Sequence, residues 1–350
     1  MVAPAPAKVV ERGLATAGLI AHVLVSKFAD HLPLYRQAEM FRRQGVDLTE
    51  ATMLGFVRDT AGLLAPVVEA LHVALLTGPF VHADETTVKV RQAPAGVRTS
   101  YFWALTDREQ VLFRFAAGRG SEVARELLRG YTGFVHRDAY AGYEAADDAA
   151  LSRWIACWAH ARRKFYEALG TAAGPASRML ALIALLYRVE AEARDMGDIE
   201  RHALRQLKSV ALLGKIEEER ARQVATALPR SALGEALTYL KNQWPALNRY
   251  VTDGMLAIDN NLMERAIRPL TIGRNNWMTA GSEDGARWAA THYTLVGSCK
   301  MQGIDPYVYL KDVLQKVAGN EHRQSRIDEL TPKGWKAARA KAALASCSPA

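Results

Sequence analysis

The sequence is poor in cysteine and lacks the spacing typical of soft-metal sites. Its three cysteines, Cys157, Cys299 and Cys347, lie far apart and form no CxxC pair. Isolated cysteines argue against a disulfide framework and a structural zinc site, and they fit a reducing cytosol. No secretory signal is visible, and no apolar run is expected to reach the length of a membrane span. We therefore expect a cytoplasmic protein without a membrane partner.

Composition and charge are those of a globular protein with a polyanionic partner. The 350 residues are 49% hydrophobic and 23% charged, which is ordinary for a soluble domain. The formal net charge is +8 at pH 7. An excess of this sign suits nucleic acid, although it does not identify it.

The hydrophobic pattern divides the chain into consecutive segments. From the amino terminus they are a disordered tail (1–13), a helical segment (14–76), the first part of an α/β core (77–169), a helical insertion (170–250), the last part of the core (251–300), a carboxy-terminal helical segment (301–335) and a tail (336–350). The apolar period is helical in the second and fourth segments and near two in the third.

The first helical segment resembles a helix-turn-helix in outline. Helices are predicted at Ala15–Phe28 and Leu34–Arg43, and a third begins after Thr49, a good N-cap. Two helices joined by a short glycine-containing turn are typical of this DNA-binding motif. An ordinary helical hairpin has the same outline, and both interpretations stay open.

The period changes at Phe80, where strands begin. Three strand-like runs joined by short turns, a helix opening at Ser121 and further strands and helices give the order β-β-β-α-β-α-β-α. This order predicts a ribonuclease H-like α/β core, with a mixed sheet and helices on both faces. In that arrangement the first and fourth strands are neighbours. Asp84 on the first strand and Asp138 at the end of the fourth are then expected to lie close together.

A helix from Ile258 to Trp277 carries the third acidic residue, Glu264. Apolar residues recur at helical spacing along it, while Glu264 and Arg268 share another face with Asn260 and Asn261. Asp259 is a plausible N-cap, and Pro269 is expected to end or kink the helix. Taken alone, Glu264 is more simply a surface partner of Arg268.

The three carboxylates together favour hard metal ions. Asp84, Asp138 and Glu264 offer only oxygen ligands, which suit Mg²⁺ or Mn²⁺. Two such ions about 4 Å apart can clamp the attacking and leaving oxygens of a phosphodiester. Cys157 and His160 lack further partners with metal-ligand spacing, so Cys157 is interpreted as a buried strand residue.

Basic and aromatic residues accompany these carboxylates. The cations predicted to contact DNA phosphates are Arg137, His160, Arg162, Arg163, Lys164, Arg265, Arg268 and Arg274. Four aromatic residues could stack on unpaired bases, although core packing is the simpler role for each: Tyr140, Tyr143, Trp158 and Trp277.

Several long blocks resemble the insertion sequence 66 family of bacterial transposases, within the DDE class. They are LIAHVLVSKFADHLPLYRQAEMFRRQGVDL, HADETTVKV, HRDAYAGY, CWAHARRKFYEA, IDNNLMERAIRPLTIGRNNWM and SCKMQGIDPYVYLKDVL, in the family's order. The resemblance implies that Asp84, Asp138 and Glu264 are the catalytic and metal-binding DDE residues. Relatives carry an amino-terminal zinc-binding portion, which this chain is expected to lack.

The resemblance implies a function and two rivals. The expected protein is a bacterial cytoplasmic DNA transposase that uses Mg²⁺ or Mn²⁺, with two ions, for 3′-end cleavage and strand transfer. Expected partners are double-stranded DNA at the element ends and the target, further copies of the chain on DNA, and accessory proteins of the same element. One rival is a catalytically idle DNA-binding remnant of a decayed element. The other is a stand-alone ribonuclease H-like nuclease.

Overall fold

The computed structural model describes residues 8–10, 13–92, 94, 96–138, 153–319 and 324–346. The strands are β1 (Phe80–Gln92), β2 (Gly96–Thr106), β3 (Val111–Ala116), β4 (Phe134–Arg137) and β5 (Trp154–Ala156). The helices are α1 (Ala17–Phe28), α2 (Leu34–Arg43), α3 (Glu50–Thr77), α4 (Ser121–Leu127), α5 (Trp158–Glu167), α6 (Ala173–Glu192), α7 (Asp198–Leu204), α8 (Val210–Val224), α9 (Ala232–Asn248), α10 (Asn261–Trp277), α11 (Glu283–Met301), α12 (Pro306–Ala318) and α13 (Pro332–Ser346).

The five strands form one mixed sheet in the order β3-β2-β1-β4-β5. β2 and β3 are antiparallel, with Phe102 opposite Phe115. β1 and β4 are parallel, with His82 opposite His136, and β4 and β5 are also parallel. The predicted mixed α/β class and the pairing of the first and fourth strands are confirmed. The helix predicted between β4 and β5 lies outside the described residues, and the ribonuclease H-like arrangement stays a prediction.

The chain folds as two compact units, each built from separate stretches. The first comprises Met1–Gly78, Ala83–Tyr131 and Met263–Ala350, and the second comprises Pro79–His82 and Thr132–Leu262. Hydrophobic pattern reports only on neighbours along the chain, so it predicted consecutive segments instead. The chain passes between the units at four points, and two of these lie inside β1 and inside α10.

In the first unit, α11 packs against α3 and against β3. The aromatic ring of Phe28 stacks on His292 of α11, with ring centroids 4.9 Å apart. The Nε2–H of His292 donates to the carbonyl oxygen of Val57 in α3, 2.9 Å away. The Nε2–H of this buried side chain thus has its hydrogen-bond acceptor inside the protein.

The second unit has a hydrophobic core formed by β5 and helices α5, α6, α8 and α9. Trp158, at the start of α5, is fully buried there, and its indole N–H donates to the carbonyl oxygen of Leu247, 2.9 Å away. Arg205 is also buried and makes a paired contact with Glu190, through Nε at 2.8 Å and Nη2 at 2.6 Å. The residues predicted as a helical insertion, 170–250, are mostly helical, and they share this core with β5 and α5.

One expectation is wrong at α3. It is 28 residues long and includes Gly55 and Pro66, and Thr49 caps it by accepting the Thr52 amide hydrogen at 3.2 Å. The expectation that no apolar run reaches the length of a membrane span is wrong here, because α3 is long and apolar enough to cross a membrane by length and composition alone. A mostly buried core helix passes the same test, so α3 is weak evidence for a span. Its pairing with α2 as a DNA-binding motif stays a prediction.

The carboxy-terminal stretch is more ordered than its composition predicted. Residues 336–346, assigned by pattern to a tail, belong to helix α13. Trp335 is buried, and its indole N–H donates to Oδ2 of Asp312 in α12 at 2.6 Å. This tertiary contact anchors a helix that its basic, alanine-rich sequence would leave frayed in isolation.

Candidate active site

Asp84 lies on β1, immediately after four buried residues that place the strand in the sheet. Its side chain is partly exposed, and its Oδ1 accepts the amide hydrogen of Glu85 at 2.8 Å. The side chain of Glu85 is only 2% exposed and pairs with Arg119, whose Nε–H donates to Oε1 at 2.6 Å. One of the two neighbouring carboxylates is thus neutralised within the protein, and Asp84 is the one in contact with solvent.

Asp138 directly follows β4 and is partly exposed. The preceding residue, Arg137, is buried, with its guanidinium carbon 3.4 Å from the ring centroid of Trp154. Its Nη1 also donates to the backbone carbonyl of Asp138 at 3.4 Å. Arg137 therefore packs inside the second unit, and its predicted contact with DNA phosphate stays a prediction.

Glu264 lies in the first turn of α10 and is exposed. An acidic residue is favoured there because the amide groups at a helix amino terminus carry partial positive charge. The start of the helix is held by Asp259. Its two carboxylate oxygens accept the backbone N–H of Asn261 at 3.1 Å and that residue's side-chain amide at 2.7 Å. The hydroxyl of Tyr187 donates to the same carboxylate at 3.0 Å.

Two details of the α10 prediction are corrected. Pro269 does not end the helix, which continues to Trp277. Burial of Leu270 and the close fit of Gly273 against Tyr293 favour continuing the helix over the one backbone hydrogen bond that proline removes. Asn260 is fully buried and precedes the helix, so it does not belong to the exposed face with Glu264.

The three proposed ligands are all carboxylates, the ligand type that a hard divalent cation prefers. The thiol of Cys157 is fully buried, and burial raises its pKa to about 12, so the ligand form of this cysteine is disfavoured at neutral pH. Within the described residues, no group of three or more His, Cys, Asp or Glu side chains is placed to hold a metal ion. Asp84 and Glu264 belong to the first unit and Asp138 to the second. Metal binding by the three carboxylates stays a prediction.

The predicted DNA-contacting cations occupy two helices and the end of β4. On α5, Arg162 and Arg163 are exposed, while the ammonium group of Lys164 lies 5.8 Å from the ring centroid of Tyr239. His160 is partly buried, and its Nδ1 has no hydrogen-bond partner. An exposed arginine pair next to each other on one helix is suited to contact with a phosphate backbone.

On α10, Arg265 and Arg268 are exposed, and Arg274 is partly buried. The Nη1 of Arg274 donates to the hydroxyl of Thr86 on β1 at 3.1 Å. It also contacts the carbonyl oxygen of Thr87. Arg274 therefore joins α10 to β1 inside the first unit, and its predicted contact with DNA phosphate stays a prediction.

One of the four aromatic residues follows the simpler prediction. Trp158 is a core residue, as its full burial shows. Trp277 is partly buried at the end of α10. Tyr140 and Tyr143 lie outside the described residues.

Sequence reasoning missed two histidines of the second unit. His82 and His136 are registered partners on β1 and β4, and their rings stack with centroids 4.4 Å apart. His82 is also hydrogen bonded to Asn260. A polar residue inside each of two apolar strands was the available signal, and only the pairing of the strands shows that the two meet.

Comparison with known proteins points to one family. The family described as "Transposase IS66 family" matches residues 12–288, and the "IS66 C-terminal element" matches residues 294–333. An uncharacterised protein of Sinorhizobium fredii, y4qI, is 34% identical over 350 residues, covering 95% of this chain and 65% of the relative. A second from the same organism, y4jD, is 32% identical, covering 96% and 69%. The chain thus spans about two thirds of the length of these relatives. No solved structure matches it significantly.

Proposed function

Because the chain belongs to the IS66 family of transposases, we propose that it catalyses 3′-end cleavage and strand transfer of an insertion sequence with Asp84, Asp138 and Glu264. Family membership supports the transposase role. The three residues stand in sequence blocks that resemble the family's DDE motifs, which supports their assignment.

The register of the parallel strands is the observation that carries the proposal. His82 on β1 is opposite His136 on β4. Asp84 and Asp138 each follow one of these registered histidines by two residues. The register between β1 and β4 ends at His82 and His136, and Asp138 follows the last residue of β4. The register supports the pairing of the two strands that carry the aspartates, and a metal site shared by Asp84 and Asp138 is part of the proposal.

The proposed cofactor is a pair of Mg²⁺ or Mn²⁺ ions held by these carboxylates. When bound, such a pair stabilises both the attacking and the leaving oxygen of an in-line displacement at phosphorus. The protein's own part is to supply the carboxylates that would hold the ions and to position the DNA backbone. Exposed Arg162 and Arg163 on α5, with Arg265 and Arg268 on α10, supply positive charge for that positioning.

The proposed reaction has two displacements. In the first, water attacks a phosphodiester at the element end, the bond from phosphorus to the 3′ oxygen breaks, and the 3′ oxygen takes up a proton. In the second, that 3′-hydroxyl attacks a phosphodiester of the target, joins the element to it and releases the target's 3′-hydroxyl. Each step exchanges one phosphorus–oxygen bond for another, so no oxidant or reductant is needed.

The test uses a supercoiled plasmid carrying the coding region with its natural flanking DNA. With Mg²⁺ or Mn²⁺, the unchanged chain is expected to produce 3′-end nicks at fixed positions and joined products. Asp84→Asn, Asp138→Asn and Glu264→Gln should each abolish both products and keep DNA binding within a few-fold, because an amide lacks the charge that holds the ions. The control is Glu217→Gln, which removes an acidic residue of a helical surface pair.

Three other results would count against the proposal. Nicks without joined products would favour the stand-alone nuclease. Binding without any cleavage by the unchanged chain would favour the idle remnant. Full cleavage by Glu264→Gln would show that α10 does not supply the third carboxylate.

A further inference from the structure

A buried hydrogen bond joins β1 to the start of α10. The Nδ1 of His82 lies 2.7 Å from Oδ1 of Asn260, and both residues are at most 1% exposed. An amide oxygen only accepts, so His82 carries its hydrogen on Nδ1 and donates. Water has no access to compete for either group, which makes the bond costly to break.

Each partner of this bond is itself held in place. The backbone N–H of Asn260 donates to Sγ of Cys157 at 3.2 Å. The ring of His82 stacks on that of His136 with an interplanar angle of 9°. The two groups therefore have little freedom to reorient, and the hydrogen bond defines one relative placement of the strand and the residue that precedes the helix.

A second set of contacts joins the same two elements further along, inside the first unit. Arg274 of α10 donates to the hydroxyl of Thr86 on β1 at 3.1 Å. Beyond the helix, the backbone N–H of Ala280 donates to the carbonyl of Lys89 at 2.8 Å, and that of Arg91 donates to Ala280 at 2.9 Å. These contacts lie on the carboxy-terminal side of both proposed carboxylates.

The two sets of contacts bracket the carboxylates along the chain. Asp84 lies between His82 and Thr86 on β1, and Glu264 lies between Asn260 and Arg274. We propose that His82 and Asn260 are positioning residues, whose bond sets where Glu264 of α10 stands relative to Asp84 of β1. The consequence for metal binding rests on the function proposed above, whereas the placement of the helix does not.

Metal sites tolerate little displacement of their ligands. A metal site works only when its ligands are held to within about 0.5 Å of their productive positions. Glu264 is exposed and lies in the first turn of its helix, where few backbone hydrogen bonds restrain it. Asp259 caps the start of α10 and is itself held by Tyr187, and the His82–Asn260 bond ties this same end of the helix to β1.

The first measurement is a distance between spin labels. Labels are attached at Lys89→Cys and Arg265→Cys, both exposed, in a Cys347→Ser background; Cys157 and Cys299 are buried. The distance distribution should be narrow in this chain and at least about twice as broad after His82→Leu or Asn260→Leu. His82→Asn keeps an N–H donor near the Nδ1 position and should restore the narrow distribution. The control, Ile216→Ala, removes core packing elsewhere, and its distance distribution should stay narrow. Equal widths in all variants would overturn the proposal.

The second measurement is Mn²⁺ binding without DNA, followed by the electron paramagnetic signal of free Mn²⁺. We expect His82→Leu and Asn260→Leu to weaken Mn²⁺ binding about tenfold, within the range for lost metal-supporting contacts, and His82→Asn to recover most of it. Unchanged Mn²⁺ affinity in the two leucine variants, when Asp84→Asn and Glu264→Gln lose Mn²⁺, would overturn the positioning role and leave the proposed function standing. If Asp84→Asn and Glu264→Gln bind Mn²⁺ normally, the proposed function fails. The distances between the spin labels then test the placement of α10 relative to β1 without reference to metal binding.

Discussion

Ser298 of α11 makes two hydrogen bonds with the backbone of Val111 on β3. Its hydroxyl oxygen accepts the Val111 N–H at 3.0 Å, and its O–H donates to the Val111 carbonyl at 3.0 Å. One helical turn earlier, Thr294 accepts the N–H of Phe113 at 2.8 Å. β3 is an edge strand. Because a bare edge can pair with another chain, these two hydroxyls protect the fold as well as stabilise it.

Thr294→Val should therefore weaken the β3 edge. Valine has nearly the same shape, but the buried N–H of Phe113 loses its acceptor, at a cost of roughly 1–3 kcal/mol. We expect a fall of that size in the free energy of unfolding in urea, with faster hydrogen exchange at Phe113. Thr291→Val is the matched control, because its hydroxyl bonds only within its own helix, to Arg287. Equal losses in both variants would contradict this account.

His292 should make stability depend on pH. Burial lowers its pKa from 6.5 to about 4. Between these values the unfolded chain binds a proton that the folded chain excludes, so stability falls as the pH falls from 6.5 towards 4. A shift of this size corresponds to roughly 3 kcal/mol.

The measurement compares the free energy of unfolding of the unchanged chain and His292→Gln at pH 7 and pH 4.5. Glutamine does not titrate, so the variant should lose less stability over this range. His22→Gln changes an exposed histidine and serves as the control. An identical pH dependence in all three chains would refute the role of His292.

Replacing only one partner of the Arg205 ion pair should strongly lower the free energy of unfolding. Its side chain is 1% exposed, contacts Glu190 and also donates to the carbonyls of Tyr250 and Asp253 at 2.9 and 2.8 Å. Arg205→Met removes the cation that pairs with the Glu190 carboxylate. The free energy of unfolding, measured in urea, should fall by about 3–5 kcal/mol. Adding Glu190→Met should recover part of that loss. If the double variant is as unstable as the sum of the single ones, the pair is not coupled.

DNA binding through α5 should be electrostatic and independent of sequence. Arg163→Ala is expected to weaken binding to unrelated duplexes by similar factors, because phosphate contacts carry no base information. The slope of log affinity against log salt should become shallower by about 0.9 per lost contact. Affinity is measured by fluorescence anisotropy over a range of salt concentrations. The control is Arg326→Ala, an exposed arginine already paired with Glu329. An unchanged slope for Arg163→Ala would remove α5 from the DNA path.

Local sequence determined most elements of the fold. The bounds of α2 and β3 follow from apolar periodicity, and the start of α3 follows from Thr49 as an N-cap. These features depend on residues within a few positions of one another, which is the range over which pattern and capping act. The adjacency of β1 and β4 was also predicted from the order of strands and helices, and the structure shows that they pair in parallel.

Other features depend on contacts between residues that are distant in sequence, and only the tertiary structure shows them. α10 runs through Pro269 because Leu270 and Gly273 pack in the core beyond it, and α13 is ordered because Trp335 bonds to Asp312. The bond of His82 to Asn260 joins residues 178 positions apart. Periodicity carries no information on which polar side chains meet at such separation. The sequence by itself determined the family blocks and their carboxylates, and packing decided which buried partners hold the elements that carry them.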